Sequence, residues 1–147
     1  MGPLLESLTT FSAAIFAGAA LYINLVEHPA RMSLETAVAA RQWAPSYQRA
    51  TWMQAPLAVI GCLGGVGAWA SGCGTGWLAA ALLLGAVVPF TFVVIMPTNH
   101  KLLAVGRDLG STETRQLLET WGRLHAVRTV LSLLALVVCL WLLAPRG

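Results

Sequence analysis

Four long apolar segments, separated by shorter polar stretches, dominate the pattern of this chain. They cover residues 4–26, 51–70, 77–96 and 125–144. A helix needs about 20 apolar residues to cross the hydrocarbon core of a bilayer. Each segment approaches or exceeds that length, so the pattern predicts an all-α fold in which residues 1–147 form a single four-transmembrane-helix bundle.

The fourth segment is the most tightly bounded, because Arg128 and Arg146 leave only 17 uncharged residues between them. A helix of about 20 residues that ends before Pro145 must therefore begin near His125. This places His125 and Arg128 at the edge of the hydrocarbon core, where polar side chains cost free energy and are commonly functional.

The composition agrees with a membrane protein. Hydrophobic residues make up 57% of the chain and charged residues 10%, and the mean hydropathy is +0.72. Soluble domains average about 25% charged residues. The net charge of +3 comes from residues that flank the spans, so it does not indicate nucleic-acid binding.

Charged and imidazole side chains concentrate in two stretches, residues 27–51 and 98–128. These contain eight of the nine Lys and Arg residues, five of the six Asp and Glu residues and all three His residues. With four antiparallel spans, both stretches become connections at the same end of the bundle. Connections rich in Lys and Arg are usually cytoplasmic, so we expect both connections in the cytoplasm and both termini on the opposite side of an integral, multi-pass membrane protein.

The first connection carries a helix signal of its own. Ser33 can cap a helix that contains Glu35 and good helix formers as far as Trp43. We predict a short helix there that lies along the membrane interface and ends at Pro45, after which the second span begins.

The two halves of the chain are faintly alike. Each has a span, an exit that bears Asn and His, a polar connection and a re-entry with Trp and Arg. Asn24 and His28 in the first half compare with Asn99 and His100 in the second. A parallel pseudo-repeat about the membrane normal is therefore a further hypothesis.

Helical spacing gathers polar side chains at the end of the bundle that holds the two connections. On the first span, Asn24 is followed at i+3 and i+4 by Glu27 and His28 and at i+7 by Arg31. On the fourth span, Trp121 is followed at i+4 by His125 and at i+7 by Arg128. Each spacing places its residues on one helix face. Further polar residues stand where the two middle spans meet the connections. We predict a polar pocket lined by Asn24, Glu27, His28, Arg31, Arg49, Gln54, Asn99, Trp121, His125 and Arg128.

Other interpretations of these residues stay open. Each arginine can extend to lipid headgroups, and Trp121 can be an interfacial belt residue. Glu27, His28 and His125 offer three ligands of a type that suits zinc, copper or iron. They would come from separate helices, without the local spacing of a metal motif, and Arg128 would repel the ion.

Several short motifs occur in an order that spans nearly the whole chain. They are Phe16-Ala17-Gly18 through Tyr22, His28-Pro29-Ala30-Arg31, Pro97-Thr98-Asn99 with Leu102, and Trp121 with His125 and Arg128. In these motifs the chain resembles a family of four-helix membrane proteins, long known as a domain of unknown function. Its characterised members are anthrone oxygenases of polyketide biosynthesis.

The resemblance implies a monooxygenase or related oxidoreductase that acts on a hydrophobic, anthrone- or quinol-like aromatic. Removal of an acidic C–H proton would give an anion that reduces dioxygen directly, so no cofactor is required, although a metal ion is not excluded. The implied catalytic residues are His125 or His28 as the base and Arg128 or Arg31 as the group that stabilises the anion. The implied substrate-binding residues are Asn24, Glu27, Arg49, Gln54, Asn99 and Trp121.

Two alternatives are kept beside this interpretation. The first is a non-enzymatic membrane module that binds a lipid, a quinone or a partner protein. The second is a metal-dependent membrane enzyme. In every case the expected partners are the membrane and a hydrophobic small molecule or lipid, with a homo-oligomer possible.

Overall fold

A computed structural model describes residues 1–145 as four long helices. Each is long and apolar enough to cross a membrane, and no strand occurs in the described residues, so the predicted all-α, four-helix fold is confirmed. All four extend beyond the predicted spans at the polar end, and they run over α1 Gly2–Met32, α2 Thr36–Ala70, α3 Thr75–Leu102 and α4 Thr112–Leu143.

The helices form a ring in which chain neighbours are also spatial neighbours. The main contacts join α1 to α2, α2 to α3, α3 to α4 and α4 to α1. Glycines on α2 permit close approach, as in other membrane helix pairs. A Cβ at Gly65 would lie 2.8 Å from Cβ of Ala81 on α3, and one at Gly64 would lie 2.7 Å from Oγ1 of Thr9 on α1.

The predicted end of the short first-connection helix is wrong, because α2 continues through Pro45 and Pro56. Proline removes a hydrogen bond to the carbonyl four residues earlier, and for Pro45 that carbonyl belongs to Arg41. Arg41 and Pro45 are both exposed at the polar end, where water can bind the freed carbonyl of Arg41. The helix begins at Thr36 without a cap from Ser33, whose hydroxyl donates instead to the carbonyl of Ala30 at 2.7 Å.

Two helices contain a single wide turn of π-helix, at Ile23–Glu27 in α1 and at Thr91–Ile95 in α3. In each turn an N–H donates to the carbonyl five residues earlier. A proline follows the turn at the same offset in both, Pro29 and Pro97. A wide turn accommodates the proline ring, which would collide with a carbonyl in a regular α-helix. The shared offset supports the pseudo-repeat. When Pro29 is aligned with Pro97, however, Asn99 corresponds to Arg31 and not to Asn24, with which the sequence had paired it.

Both polar connections lie at one end of the bundle. Arg115 at the start of α4 donates to the carbonyl of Leu34 at 3.1 Å and to that of Met32. The α2–α3 turn at the other end uses Gly72 and Gly74, with φ of +85° and +108°. Residues 146 and 147 lie outside the described part of the chain, and the membrane side of each end stays a prediction.

Candidate functional site

A hydrogen-bonded group at the polar end joins α1 to α4 through Asn24. Its Nδ2 donates to the carbonyl of Gly122 at 3.1 Å. Its Oδ1 accepts from the Thr129 hydroxyl at 2.6 Å and lies 2.6 Å from Nδ1 of His125. A backbone carbonyl only accepts, so the amide orientation is fixed and Nδ1 of His125 must carry hydrogen. The neutral ring then has its lone pair at Nε2, the arrangement that a general base needs.

Aromatic rings pack around this group. Trp121 stacks on His125 with ring centroids 4.9 Å apart, and it contacts His28 at 5.4 Å. Its other side meets Trp43 edge-on at 5.8 Å, and Trp43 stacks on Tyr47 at 5.1 Å. The row of rings connects the two histidines to α2 and gives the polar end an aromatic wall.

Arg31 ties α1 to α2 at the same end. Its buried guanidinium donates to Glu27, Gln42 and Ser46, and its Cζ lies 5.9 Å from the centre of the Trp121 ring. Glu27 balances its charge. Its Nη1 lies 3.5 Å from Nδ1 of His28, so Arg31 also contacts one of the candidate bases.

Arg128 is also buried, but its charge is not balanced. Its Nη2 donates to Oε1 of Gln54 at 2.9 Å, and its Cζ lies 5.4 Å from the centre of the Phe16 ring. In the described part of the chain no carboxylate forms an ion pair with it. An unbalanced cation in an apolar region costs free energy and favours an anionic or oxygen-bearing ligand.

Several buried polar atoms near these residues have no hydrogen-bond partner within residues 1–145. Such atoms cost about 1–3 kcal/mol each unless water or a ligand satisfies them. They come from α2, α3 and α4, and most are donors: Trp43 Nε1, Gln54 Nε2, Asn99 Nδ2 and Oδ1, and Arg128 Nε.

Comparison with known proteins identifies the relatives of this chain. The anthrone oxygenase family profile matches residues 43–138. The anthrone oxygenase tpcL of Aspergillus fumigatus is 30% identical to this chain in an alignment that covers 90% of this chain and 89% of that protein. The chain belongs to the anthrone oxygenase family. The resemblance drawn from the sequence is thereby confirmed, and no solved structure shows significant similarity.

Membership of the anthrone oxygenase family supports an oxygenase-type activity for this chain. The matched region includes Gln54, Asn99, Trp121, His125 and Arg128. The α1 residues Asn24, His28 and Arg31 precede it. The comparisons identify the family, whereas the role of each residue is a matter for proposal.

The predicted polar face of α1 is divided in this member of the anthrone oxygenase family. Asn24 and His28 face α4, where they contact Gly122 and Trp121. Glu27 faces α2 through its bond with Ser46. The π turn separates the two directions, because its extra residue changes the helical phase.

The other predicted residues differ in how closely they join the histidines. Gln54 reaches the site through its bond to Arg128. Arg49 is exposed and lines a shallow groove with Tyr22, Glu27 and Ser46 on the outer surface of α1 and α2. Asn99 is fully buried without a bonded partner in the described residues.

The predicted metal ligands do not form a cluster in the described residues. No three His, Cys, Asp or Glu side chains there are positioned to hold an ion, and Glu27 is bonded to Arg31 and Ser46. His28 and His125 both contact the Trp121 ring. A metal-dependent reaction therefore stays a prediction, which elemental analysis of chelator-free protein will test.

Sequence reasoning missed several residues that build the site, above all Gly122. A Cβ there would lie 2.6 Å from Cδ2 of His28, so any larger residue would require the imidazole to shift. The available signal was a lone glycine inside a long helix, which costs about 1 kcal/mol relative to alanine and so needs a reason. Other missed residues become evident only from packing, namely Gln42, Trp43, Ser46, Tyr47 and Thr129.

Proposed function

We propose that this protein is a membrane-embedded oxygenase that acts on a hydrophobic, anthrone- or quinol-like aromatic. His125 is the general base and Arg128 stabilises the anion. One observation carries the assignment of the base: the contact between Nδ1 of His125 and Oδ1 of Asn24, which directs the basic nitrogen, Nε2, away from α1's amide. Family membership supports the class of reaction.

The proposed first step is proton transfer from an acidic C–H of the substrate to Nε2 of His125. The imidazolium that forms keeps its Nδ1–H bond to Asn24, so the ring need not reorient. Arg128 follows three residues later on α4 and therefore on a neighbouring part of the same helix face. Held by Gln54, it stabilises the negative charge that develops on the substrate oxygen.

The proposed oxidation balances with dioxygen alone. The methylene carbon of an anthrone becomes a carbonyl carbon and supplies four electrons. One atom of dioxygen enters the new carbonyl, and the other leaves as water with the two hydrogens. The role of the protein is to form the anion, hold it and shelter it from bulk water.

Oxidation of an anthrone by protein in lipid nanodiscs under air tests this proposal. Oxygen uptake and quinone absorbance report turnover. We expect His125→Ala to lower kcat by about 10²- to 10⁴-fold, the usual contribution of a general base. The matched control is His100→Ala, since His100 is exposed at the same end. Equal rates for wild type and His125→Ala reject His125 as the base, and His28→Ala then tests the second histidine.

A non-enzymatic role is the second candidate, and the shallow groove lined by Tyr22, Glu27, Ser46 and Arg49 favours it. Its mixed polar and apolar lining suits a lipid headgroup at the membrane surface. Native mass spectrometry distinguishes the two functions. A retained phospholipid together with no oxygen uptake from any anthrone or quinol supports the binding module and rejects the oxygenase.

A further inference from the structure

A pocket with a cavity volume of about 80 Å³ opens between α2 and α3, and Arg128 of α4 is among the residues that line it. Sites that enclose a whole small molecule usually measure about 300–1,000 Å³, so this pocket accommodates one edge of an aromatic molecule, whose remainder must extend out of it. Ala55 and Phe92 at its mouth are exposed within spanning helices, and Phe92 is 65% exposed. The mouth therefore faces the acyl chains of the membrane and not an aqueous phase.

The walls of this pocket are apolar and partly aromatic. Phe16 closes its inner side, while Ala58 and Val87 form its base. Tyr47 and Phe92 supply two more rings. Such walls suit a flat aromatic molecule, because aromatic pairs gain free energy beyond the burial of area alone.

Two of the residues that line the pocket carry hydrogen-bond donors, the hydroxyl of Tyr47 and the guanidinium of Arg128. Within the described residues, the Tyr47 hydroxyl has as its partner only Sδ of Met96 at 4.0 Å, and a thioether is a weak acceptor. Among residues 1–145, Nε of Arg128 is buried and has no hydrogen-bond partner. The donors require an acceptor oxygen, and the uncompensated cation favours one that carries negative charge.

We propose that this pocket binds the oxygen-bearing edge of a planar aromatic ketone or phenol that enters from the bilayer, and that Tyr47 and Arg128 donate to its oxygen. The inference rests on the proposed function and adds a site, an entry route and the residue Tyr47. Stacking on Trp43 fixes the Tyr47 ring, so its hydroxyl is held in place before the ligand arrives.

Photolabelling with benzophenone tests the site without requiring turnover. Benzophenone is a diaryl ketone that cannot be enolised, and under ultraviolet light it inserts into nearby C–H bonds. The protein is irradiated with it in nanodiscs, and labelled peptides are identified by mass spectrometry. We expect saturable labelling concentrated on pocket residues such as Val88, Phe92 and Met96.

Two variants with matched controls make the result specific. Tyr47→Phe retains the ring and removes the hydroxyl, so half-saturation should shift to about 3- to 10-fold higher benzophenone, the value of one hydrogen bond. Ala55→Trp fills the mouth and should abolish saturable labelling. The controls are Tyr22→Phe and Ala14→Trp, which make the same changes at exposed positions on α1 and should leave labelling unchanged.

Three outcomes overturn the inference. Labelling spread over the whole lipid-facing surface, or displaced by added phospholipid and insensitive to Tyr47→Phe, indicates a crevice for acyl chains only. Covalent dimers joined through the pocket residues indicate a second copy of the chain. Pocket labelling that is unchanged by both variants means that Tyr47 and the mouth do not govern binding.

The site and the proposed function can fail separately. Saturable labelling that depends on Tyr47, without oxidation of any anthrone or quinol, supports the pocket and rejects the oxygenase. Anthrone oxidation that persists in Ala55→Trp, together with the loss of saturable labelling, rejects the pocket as the substrate site and retains the oxygenase.

Discussion

His28 and His125 both depend on one small residue, Gly122. Its missing side chain leaves the space that His28 occupies. Its carbonyl accepts from Asn24, whose other amide atom faces His125. Spacing along the helices identified Asn24, His28 and His125 as candidates, but no spacing rule reveals which carbonyl an amide will bind. The tautomer of His125 therefore could not be predicted from the sequence and follows only from the three-dimensional structure.

Gly122→Ala tests this dependence. Alanine normally stabilises a helix by about 1 kcal/mol relative to glycine, but here its Cβ would lie 2.6 Å from Cδ2 and 3.2 Å from Cε1 of His28. We expect a net loss of about 1–3 kcal/mol in the free energy of unfolding, the usual cost of overpacking, measured by thermal unfolding in detergent. Gly18→Ala is the control, since nothing lies within 4 Å of its added Cβ, and it should stabilise the protein. A stabilised Gly122→Ala would contradict the packing of His28.

At the scale of an element, the π turns decide which way the polar residues face. A regular α-helix would carry Asn24, His28 and Arg31 along a single face. The π turn at Ile23–Glu27 contains one residue more than an α-helical turn. Asn24 and His28 therefore face α4, whereas Arg31 faces α2. Pro29 and Pro97 were visible in the sequence, but proline can be accommodated by a kink, a bulge or a wide turn. The sequence therefore predicted that polar residues gather at this end of α1, but not the directions in which they face.

Deletion of Leu25 tests whether Pro29 requires the wide turn of α1. Leu25 is 67% exposed within the turn, and without it the bond from the His28 N–H to the Ile23 carbonyl becomes a regular α-helical bond. The residues before and after the deletion still face the same neighbouring helices. Pro29, however, then lies inside a regular α-helix, which lowers the stability of the protein by about 3 kcal/mol. We expect a lower Tm for the deletion, and a much smaller loss when it is combined with Pro29→Ala. If the deletion alone leaves Tm unchanged, the proline does not need the turn.

For the whole molecule, length and hydropathy were sufficient to predict the four-helix bundle. Any chain with four such segments satisfies its backbone hydrogen bonds by spanning the membrane as helices, so the architecture needed no knowledge of packing. The pocket between α2 and α3 is different. It depends on where α2 and α3 separate beyond their close contact at Gly65 and Ala81, and this separation leaves no periodic signal in the sequence.

The orientation of the bundle is tested by labelling introduced cysteines in intact cells. Cys62, Cys73 and Cys139 are first replaced, and then Ser71→Cys or Val105→Cys is added at an exposed position at either end. A membrane-impermeant maleimide should modify the first variant in intact cells and the second only after permeabilisation, because the Lys- and Arg-rich end is expected in the cytoplasm. The reverse pattern would invert the predicted topology.

The mouth between α2 and α3 makes the bilayer, and not the surrounding water, the phase from which a ligand would be drawn. The relevant concentration is then the mole fraction of ligand in the membrane. Extra lipid lowers occupancy at a constant total amount of ligand, whereas a larger aqueous volume hardly changes it for a strongly apolar compound. Selectivity consequently has two stages: partition into the lipid phase, and then recognition by the donors that line the pocket. A polar compound with the right oxygen atoms would be excluded at the first stage.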